Sequence, residues 1–347
     1  MTHDDTVPTL TNIVESVNGA GDGNNGDIVT LTITPSEAIQ QPVCTFQSGG
    51  ANMAASPSYG TGSGNIRTCS IVVADGDTNG AVTFSVAYED SAGNAGVADT
   101  TPDSGAVTVD NTHPTATAAV LAIAGTGNGN NGDSMTLTIT PSETIGTPTC
   151  VFKSGGAAMA NTVAYSTDGA DHICTIAVAD ADTDGSVTFT LDFSDSAGNA
   201  ATQVTSASAG AVTIDNTHPT LGTVGIATAG TGNANNGDDV TLTFTATETI
   251  GTPTCTMKDG GGNTMDNSVT TTHTGSNVWT CVVSTHDNDA DGAMSFSIAF
   301  SDSAGNAGVA DTTVDDSSTV TIDNTHPTRS AVSIATAGTG NANNGDD

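Results

Sequence analysis

Three short acidic loops carry the residue types best suited to chemistry in this chain. Each has the pattern Asp-x-Asp-x-(Asn or Asp)-Gly and stands just before a regularly alternating apolar segment. The copies are Asp75, Asp77, Asn79; Asp180, Asp182, Asp184; and Asp287, Asp289, Asp291. Alternate oxygen ligands followed by glycine match the first half of a Ca²⁺-binding EF-hand loop. The bidentate Glu position holds Val86, Leu191 or Ile298, so a true EF-hand is excluded. Another kind of Ca²⁺ loop and a capped polar turn both remain open.

A second set of oxygen ligands recurs in the string Asp-Asn-Thr-His-Pro-Thr, which begins at positions 110, 215 and 323. Its candidate ligands are Asp110, Asn111; Asp215, Asn216; and Asp323, Asn324. The Asp-Asn-x-x-Pro pattern is similar to the junctions of cadherin-like chains, and that similarity implies interdomain Ca²⁺. The alternative is a capped turn before proline. Grouped carboxylates without basic partners repel one another unless a cation or water relieves them.

The same string contains His113, His218 and His326, which could serve as metal ligands or as a pH switch. A degenerate first copy, Asp4-Asp5-Thr6-Val7-Pro8-Thr9, has Val7 in this place. The position therefore tolerates an apolar residue, and packing at a domain boundary is favoured over ligation.

The balance of charged residues indicates which classes of partner the chain can bind. The 347 residues include 38 Asp and Glu but only four Lys and Arg, for a formal net charge of −34. So few basic residues disfavour nucleic acid and anionic membrane surfaces as partners. The balance favours cations, above all Ca²⁺, which takes oxygen ligands. No run approaches 18 apolar residues, so membrane insertion of this segment is not expected.

The acidic motifs repeat because the whole chain repeats. The Asp-Asn-Thr-His-Pro-Thr strings are 105 and 108 residues apart, a spacing that indicates complete domains. We predict the end of a linker at 1–8 and repeats at 9–114, 115–219 and 220–327. A fourth, truncated repeat begins at 328–347. Each conspicuous motif occurs once per repeat and no catalytic motif is found, so an enzyme is not expected.

Within each repeat, apolar and polar residues alternate with period two, as in Val29, Leu31 and Ile33 or in Met294, Phe296 and Ile298. Gly, Pro, Asn and Asp separate these runs, and no amphipathic helix is found. The pattern predicts an all-β fold of antiparallel β-sandwiches with about seven strands each. A proline at each junction favours a short, stiff linker and hence a rod.

Six cysteines occur as two per repeat. Repetition selects the pairs Cys44–Cys69, Cys150–Cys174 and Cys255–Cys281 from fifteen connectivities. Zinc is disfavoured because no close Cys-x-x-Cys pair occurs. Three disulfides indicate an oxidising, extracellular setting.

Residues 237–254, 291–306 and 320–324 resemble tandem bacterial and archaeal immunoglobulin-like domains of large surface proteins. The resemblance covers nearly the whole chain, although such repeats usually lack cysteine. It implies tandem immunoglobulin-like sandwiches and an extracellular location at the cell surface or in a secreted filament.

The expected function is therefore structural: a stalk or filament-forming section, with further repeats or copies of the chain itself as partners and Ca²⁺ as a stiffening ion. The alternatives are a ligand-binding adhesin that uses loops at the domain tips, and accessory repeats of a larger secreted enzyme. The only Trp, Trp279, alternates in phase beside Cys281 and is expected in the core.

Overall fold

The computed structural model describes residues 3–19, 21–125, 127–230 and 232–335. Within these ranges the chain forms 24 β-strands and no helix, which confirms the all-β prediction. Residues 328–335 of the predicted fourth repeat form no strand, and the remainder of that repeat, 336–347, lies outside the described residues. No helix in the described part of the chain is long and apolar enough to cross a membrane.

The strands fall into three successive groups of eight. The first contains β1 (Leu10–Val17), β2 (Ile28–Pro35), β3 (Val43–Ser48), β4 (Ala51–Asn52), β5 (Ser58–Thr61), β6 (Arg67–Val72), β7 (Gly80–Ala87) and β8 (Thr108–Val109). The second contains β9 (Ala116–Ile123), β10 (Ser134–Pro141), β11 (Thr149–Ser154), β12 (Ala157–Ala158), β13 (Ala164–Asp168), β14 (Asp171–Ala177), β15 (Gly185–Asp192) and β16 (Thr213–Ile214). The third contains β17 (Leu221–Thr228), β18 (Asp239–Ala246), β19 (Thr254–Lys258), β20 (Thr270–Gly275), β21 (Val278–Ser284), β22 (Gly292–Ala293), β23 (Ser295–Ala299) and β24 (Thr321–Ile322).

Each group forms a sandwich of two antiparallel sheets. In the first group the sheet orders are β1-β2-β6-β5 and β4-β3-β7-β8, and the second group repeats this order. In immunoglobulin lettering these sheets are A-B-E-D and C′-C-F-G, the constant-type arrangement with a short C′ strand added. The third group has the same first sheet, whereas its second sheet is divided into β19-β23 and β22-β24. The prediction of tandem immunoglobulin-like sandwiches is therefore confirmed.

The alternating sequence produces the strands by giving each one an apolar face. On β2, the side chains of Val29, Leu31 and Ile33 are fully buried, while the intervening threonines lie on the other face. Each group has its own cluster of buried residues, drawn from 13–109, 119–214 or 224–322. Trp279 belongs to the third cluster, as predicted.

The three disulfides pair as the spacing predicts. Cys44 on β3 bonds to Cys69 on β6, and the equivalent bonds are Cys150–Cys174 and Cys255–Cys281. Since β3 and β6 belong to different sheets, each bond ties the two sheets of one sandwich together. It joins strands C and E, whereas antibody domains join B and F.

The chain divides into two compact units, residues 1–216 and 217–347. The first unit contains the first two sandwiches, and the second unit contains the third. The repeat boundaries drawn from the sequence remain predictions.

Candidate cation sites at the repeat ends

The central aspartate of each acidic loop acts as a backbone cap. Asp77 is 7% exposed, and its two carboxylate oxygens accept hydrogen bonds from the Ala54 and Ala74 N–H groups at 2.8 Å. Asp182 and Asp289 accept the equivalent pairs of backbone bonds. The carboxylate thus caps the backbone three residues before it and also ties the loop to a segment 22 or 23 residues earlier in the chain.

The linker asparagine closes the same loop from outside. The Asn111 side-chain amide donates to the carbonyls of Ala74 and Asp77, at 3.0 and 3.1 Å, while its backbone N–H donates to Asn79. Asn216 and Asn324 repeat this arrangement, with Asp184 and Asp291 accepting from the backbone. The structure thus brings together two motifs that lie about 30 residues apart in the sequence.

Carboxylates remain on the surface of these loops. Asp75, Asp180 and Asp287 are exposed. In the third sandwich, Asp287, Asp323 and Asn324 line one polar cleft. The Asn324 Oδ1 atom is buried without a hydrogen-bond partner among the described residues, as are the equivalent atoms of Asn111 and Asn216. The contacts support the capped-turn interpretation of the loop, and Ca²⁺ binding there stays a prediction.

A tighter cluster lies where the first sandwich meets the second. One oxygen each from Asp110, Glu143 and Asp195 lies within 4.8 Å of the others. Asp110 directly follows β8, whereas Glu143 follows β10 and Asp195 follows β15 of the next sandwich. A carboxylate of one repeat therefore meets two carboxylates of the following repeat. Asp4, Glu37 and Asp90 form the same cluster before the first sandwich.

The buried aspartate of each cluster is held in place by its own turn. Asp195 Oδ1 accepts the Gly198 and Asn199 N–H groups, and Oδ2 accepts the Asn199 side-chain amide, each at 2.8 Å. Asp90 has the equivalent bonds from Asn94, whose side chain is the main reason that the pKa of Asp90 is lowered. These bonds hold both carboxylates in place, and in Asp90 they favour the charged form.

Glu143 is the least satisfied member of its cluster. Its Oε1 atom is buried and finds no hydrogen-bond partner within the described ranges. Burial raises the pKa of the Glu143 carboxyl, and the carboxylates of Asp110 and Asp195 raise it further. Three carboxylate oxygens at this separation fit Ca²⁺, which accepts oxygen ligands in flexible geometry at 2.3–2.6 Å.

Direct hydrogen bonds also cross the first junction. The Asn199 side chain donates to the Asp110 carbonyl at 2.7 Å, and His113 Nδ1 lies 2.8 Å from the Ala200 carbonyl. His218 has the equivalent contact with Ala307. Both histidines are exposed, so these contacts are surface hydrogen bonds, and a packing role for the junction histidines stays a prediction.

The sequence pattern predicted a ligand role for Asp110 but for none of the other carboxylates in these clusters: Glu37, Asp90, Glu143 and Asp195. A signal was present for the glutamates. The chain has only five Glu, and three of them, Glu37, Glu143 and Glu248, occupy one position of the repeat. The aspartates begin the recurrent string Asp-Ser-Ala-Gly-Asn, as Asp302 does in the third repeat.

The strand order defines a tandem array of immunoglobulin-like domains, and solved structures of that class are similar to the chain. A titin I-band fragment has 10% identity and a TM-score of 0.38, with 93% of this chain and 100% of that chain covered. A marsupial T cell receptor has 12% identity and a TM-score of 0.38, with 88% and 100% covered. A tetra-tandem repeat from the extending region of a large adhesion protein has 18% identity and a TM-score of 0.32, with 92% and 75% covered.

No protein-family model matches the chain, and no curated protein matches it.

Proposed function

We propose that this chain is a structural section of a large bacterial or archaeal surface protein, a stalk or filament outside the cell, with Ca²⁺ stiffening its junctions. The observation that carries the proposal is the Asp110–Glu143–Asp195 cluster. It draws one carboxylate from a linker and two from the next sandwich, so a bound cation would hold linker and sandwich together.

The electrostatics support a cation at this position. Three carboxylates share a partly buried space, and the raised pKa of Glu143 reflects first its desolvation and then their repulsion. The chain has only four basic residues to offset 38 acidic ones. A divalent cation would remove the repulsion and would satisfy the buried Glu143 oxygen.

The disulfides support the extracellular location, because such bonds persist in oxidising compartments. All six cysteines are at least nine-tenths buried in apolar clusters, where they serve as structural cross-links. The polar clusters recur from repeat to repeat, which suits a supporting role in which further repeats, or copies of the chain, are the neighbours.

Thermal unfolding with Ca²⁺ and with a chelator tests the proposal. Ca²⁺ at about 100 times its Kd should add roughly 2.7 kcal/mol by mass action. That gain corresponds to a midpoint shift of about 10 °C or more for a domain of this size. The double variant Glu37→Gln with Glu143→Gln should lose most of the shift in the first two repeats.

The same variant also makes a prediction for the unfolding midpoint measured in the chelator. Removing two charges from crowded clusters should raise the midpoint slightly in the chelator, so the variant should unfold at a higher temperature than the parent without Ca²⁺ and at a lower temperature with it. Glu89→Gln is the matched control, because Glu89 is exposed and lies outside the clusters. Equal Ca²⁺ responses in all three proteins would contradict the proposed site.

A further inference from the structure

In the third sandwich, other segments of the chain cover the outer edges of strands A and G. On β17, the Val224 N–H donates to the Asp315 carboxylate at 2.7 Å, and the Asp315 N–H donates to the Val224 carbonyl at 2.9 Å. β24 has only two residues, and the Ala234 N–H donates to the Thr321 carbonyl at 2.8 Å. Neither edge therefore offers a row of unpaired peptide groups to another strand.

The edge of the C strand is protected in two ways. The segment after β19 folds back along it, so that the Met265 N–H donates to the Met257 carbonyl at 3.2 Å. A lysine also lies on the strand: the two lysines of the chain, Lys153 and Lys258, both lie on C strands. A lysine on an edge strand discourages pairing with another chain.

The D strand of this sandwich, β20, lacks such protection. It pairs with β21 on one side, and no residue in the described ranges pairs with its other side. Its sequence, Thr-Thr-Thr-His-Thr-Gly, contains no Asp, Glu, Lys, Arg or Pro, and its threonines favour extended backbone. The one irregularity in its ladder lies between His273 and Gly275, beside the turn. An open, uncharged edge of this kind is a template for pairing with another strand.

The D strands β5 and β13 occupy the same edge of their sandwiches. After β5, the Gly62 N–H donates to the Ile66 carbonyl at 3.0 Å. Because bonded pairs alternate along an antiparallel ladder, the peptide groups of Tyr59 and Thr61 face away from β6. Counted from the cysteine on strand E, the equivalent outward positions are Tyr165, Thr167; and Thr271, His273.

A second copy of the chain is the partner that this edge fits. Antiparallel pairing about a two-fold axis brings two identical edges together, so each residue meets a residue of the same edge. A charged side chain there would meet its own sign and oppose the pairing. β5 and β20 carry no Asp, Glu, Lys or Arg, although the whole chain has a net charge of −34. β13 ends in Asp168, which makes it the least suited of the three.

We propose that the D edge, with β20 as its main contact, joins two copies of the chain side by side, so that two four-stranded sheets become one sheet of eight strands. The inference rests on the proposed function for its setting, a stalk or filament whose neighbours are further copies of the chain. The pairing itself does not require Ca²⁺. The net charge of each copy opposes association, and salt screens that repulsion, so pairing should strengthen as ionic strength rises.

Sedimentation and amide hydrogen exchange of the full chain, both in chelator, test the proposal. We expect a monomer–dimer equilibrium that shifts towards the dimer as salt and protein concentration rise. In the dimer, the N–H groups of Thr271 and His273 should exchange more slowly than in the monomer, while that of Val224, already bonded, should not change. A monomer under every condition, or a dimer in which exchange at 270–275 is unchanged, would overturn the proposal.

A matched pair of double variants locates the interface. Thr270→Glu with Thr272→Glu adds two carboxylates to β20, and Thr241→Glu with Thr243→Glu adds them to the same two rows of the sheet on the inner strand β18. The β20 variant should weaken dimerisation roughly ten-fold, because like charges then meet across the edge. The β18 variant should weaken it much less, and equal weakening would refute pairing through the D edge.

Two controls complete the experiment. Thermal unfolding checks that both variants are folded, and if the β20 variant is not, the exchange measurement on the parent still decides. Because every measurement is made in chelator, a failure of edge pairing leaves the calcium site untested and intact as a proposal. A failure of the Ca²⁺-dependent midpoint shift likewise leaves the dimer result unchanged.

Discussion

Glu15 places a carboxyl group in the core of the first sandwich. It pairs with Leu31 across β1 and β2, and the residues at the same ladder position in the other sandwiches are Leu121 and Ile226. Glu15 is 4% exposed. Its Oε2 accepts the Val107 N–H at 3.1 Å, while Oε1 is buried without a partner among the described residues.

Burial raises the pKa of Glu15, and the bond from Val107 only partly offsets that effect. A carboxyl whose folded pKa lies above its unfolded value contributes most stability below the unfolded pKa, about 4.3. That contribution is lost as the pH rises through the folded pKa. Unlike Oε1 of Glu15, the carboxylate of Asp103 on the adjacent segment has a partner, because it accepts the Ile13 N–H.

Replacing Glu15 with Leu should therefore stabilise the first sandwich at pH 7 by about 1 kcal/mol or more, because an unpaired buried polar atom is removed. The gain should shrink towards pH 4.5, because the raised pKa of Glu15 favours its neutral form as the pH falls. The free energy of unfolding, from chemical denaturation at pH 7 and at pH 4.5, measures this gain. The reverse substitution, Leu121→Glu, should destabilise the second sandwich at pH 7. If Glu15→Leu proved less stable than the parent at pH 7, the Val107 bond would outweigh the burial penalty.

At the scale of elements, the loop between β1 and β2 packs against the second sandwich. Gly21 has φ +87°, and a Cβ built there would lie 2.7 Å from the Ser196 carbonyl oxygen. Gly26 has a similar φ of +96°, yet a Cβ there would meet nothing within 4 Å. The two glycines share backbone geometry and differ only in the contact.

Alanine at either position should cost about 1–2 kcal/mol, because both require the left-handed region. Only Gly21→Ala should also loosen the first junction, since the new methyl group collides with the second sandwich. NMR relaxation of the two sandwiches in the full chain separates these effects. More independent tumbling in Gly21→Ala than in Gly26→Ala is the expected result, and equal tumbling would show that the loop contact does not hold the junction.

The elements were predictable from local pattern, and their long-range contacts were not. Alternation identified strands such as β2, and repetition identified the disulfide pairs. The short C′ strands β4 and β12 contain two residues each and leave no periodic signal. Asp110, Glu143 and Asp195 meet although they are 33 and 52 positions apart in the sequence, because turns of one sandwich face the linker of another. Such proximity depends on the folded topology, which no local spacing reveals.

At the scale of the molecule, a net charge of −34 is spread over repeated sandwiches with four basic residues. Self-repulsion keeps such a chain soluble but strains its crowded carboxylates. If cations occupy the junctions, they remove the repulsion at the points where neighbouring sandwiches meet. The proposed stiffness of the stalk is therefore linked to the ion.

Small-angle X-ray scattering of the full chain, in millimolar Ca²⁺ and then in chelator at matched ionic strength, tests this link most directly. The account predicts an extended, stiff particle in Ca²⁺ and a broader distribution of shorter distances after chelation, with a smaller Ca²⁺-dependent change in the Glu37→Gln, Glu143→Gln variant than in the parent. Identical scattering curves for the parent with and without Ca²⁺ would contradict it.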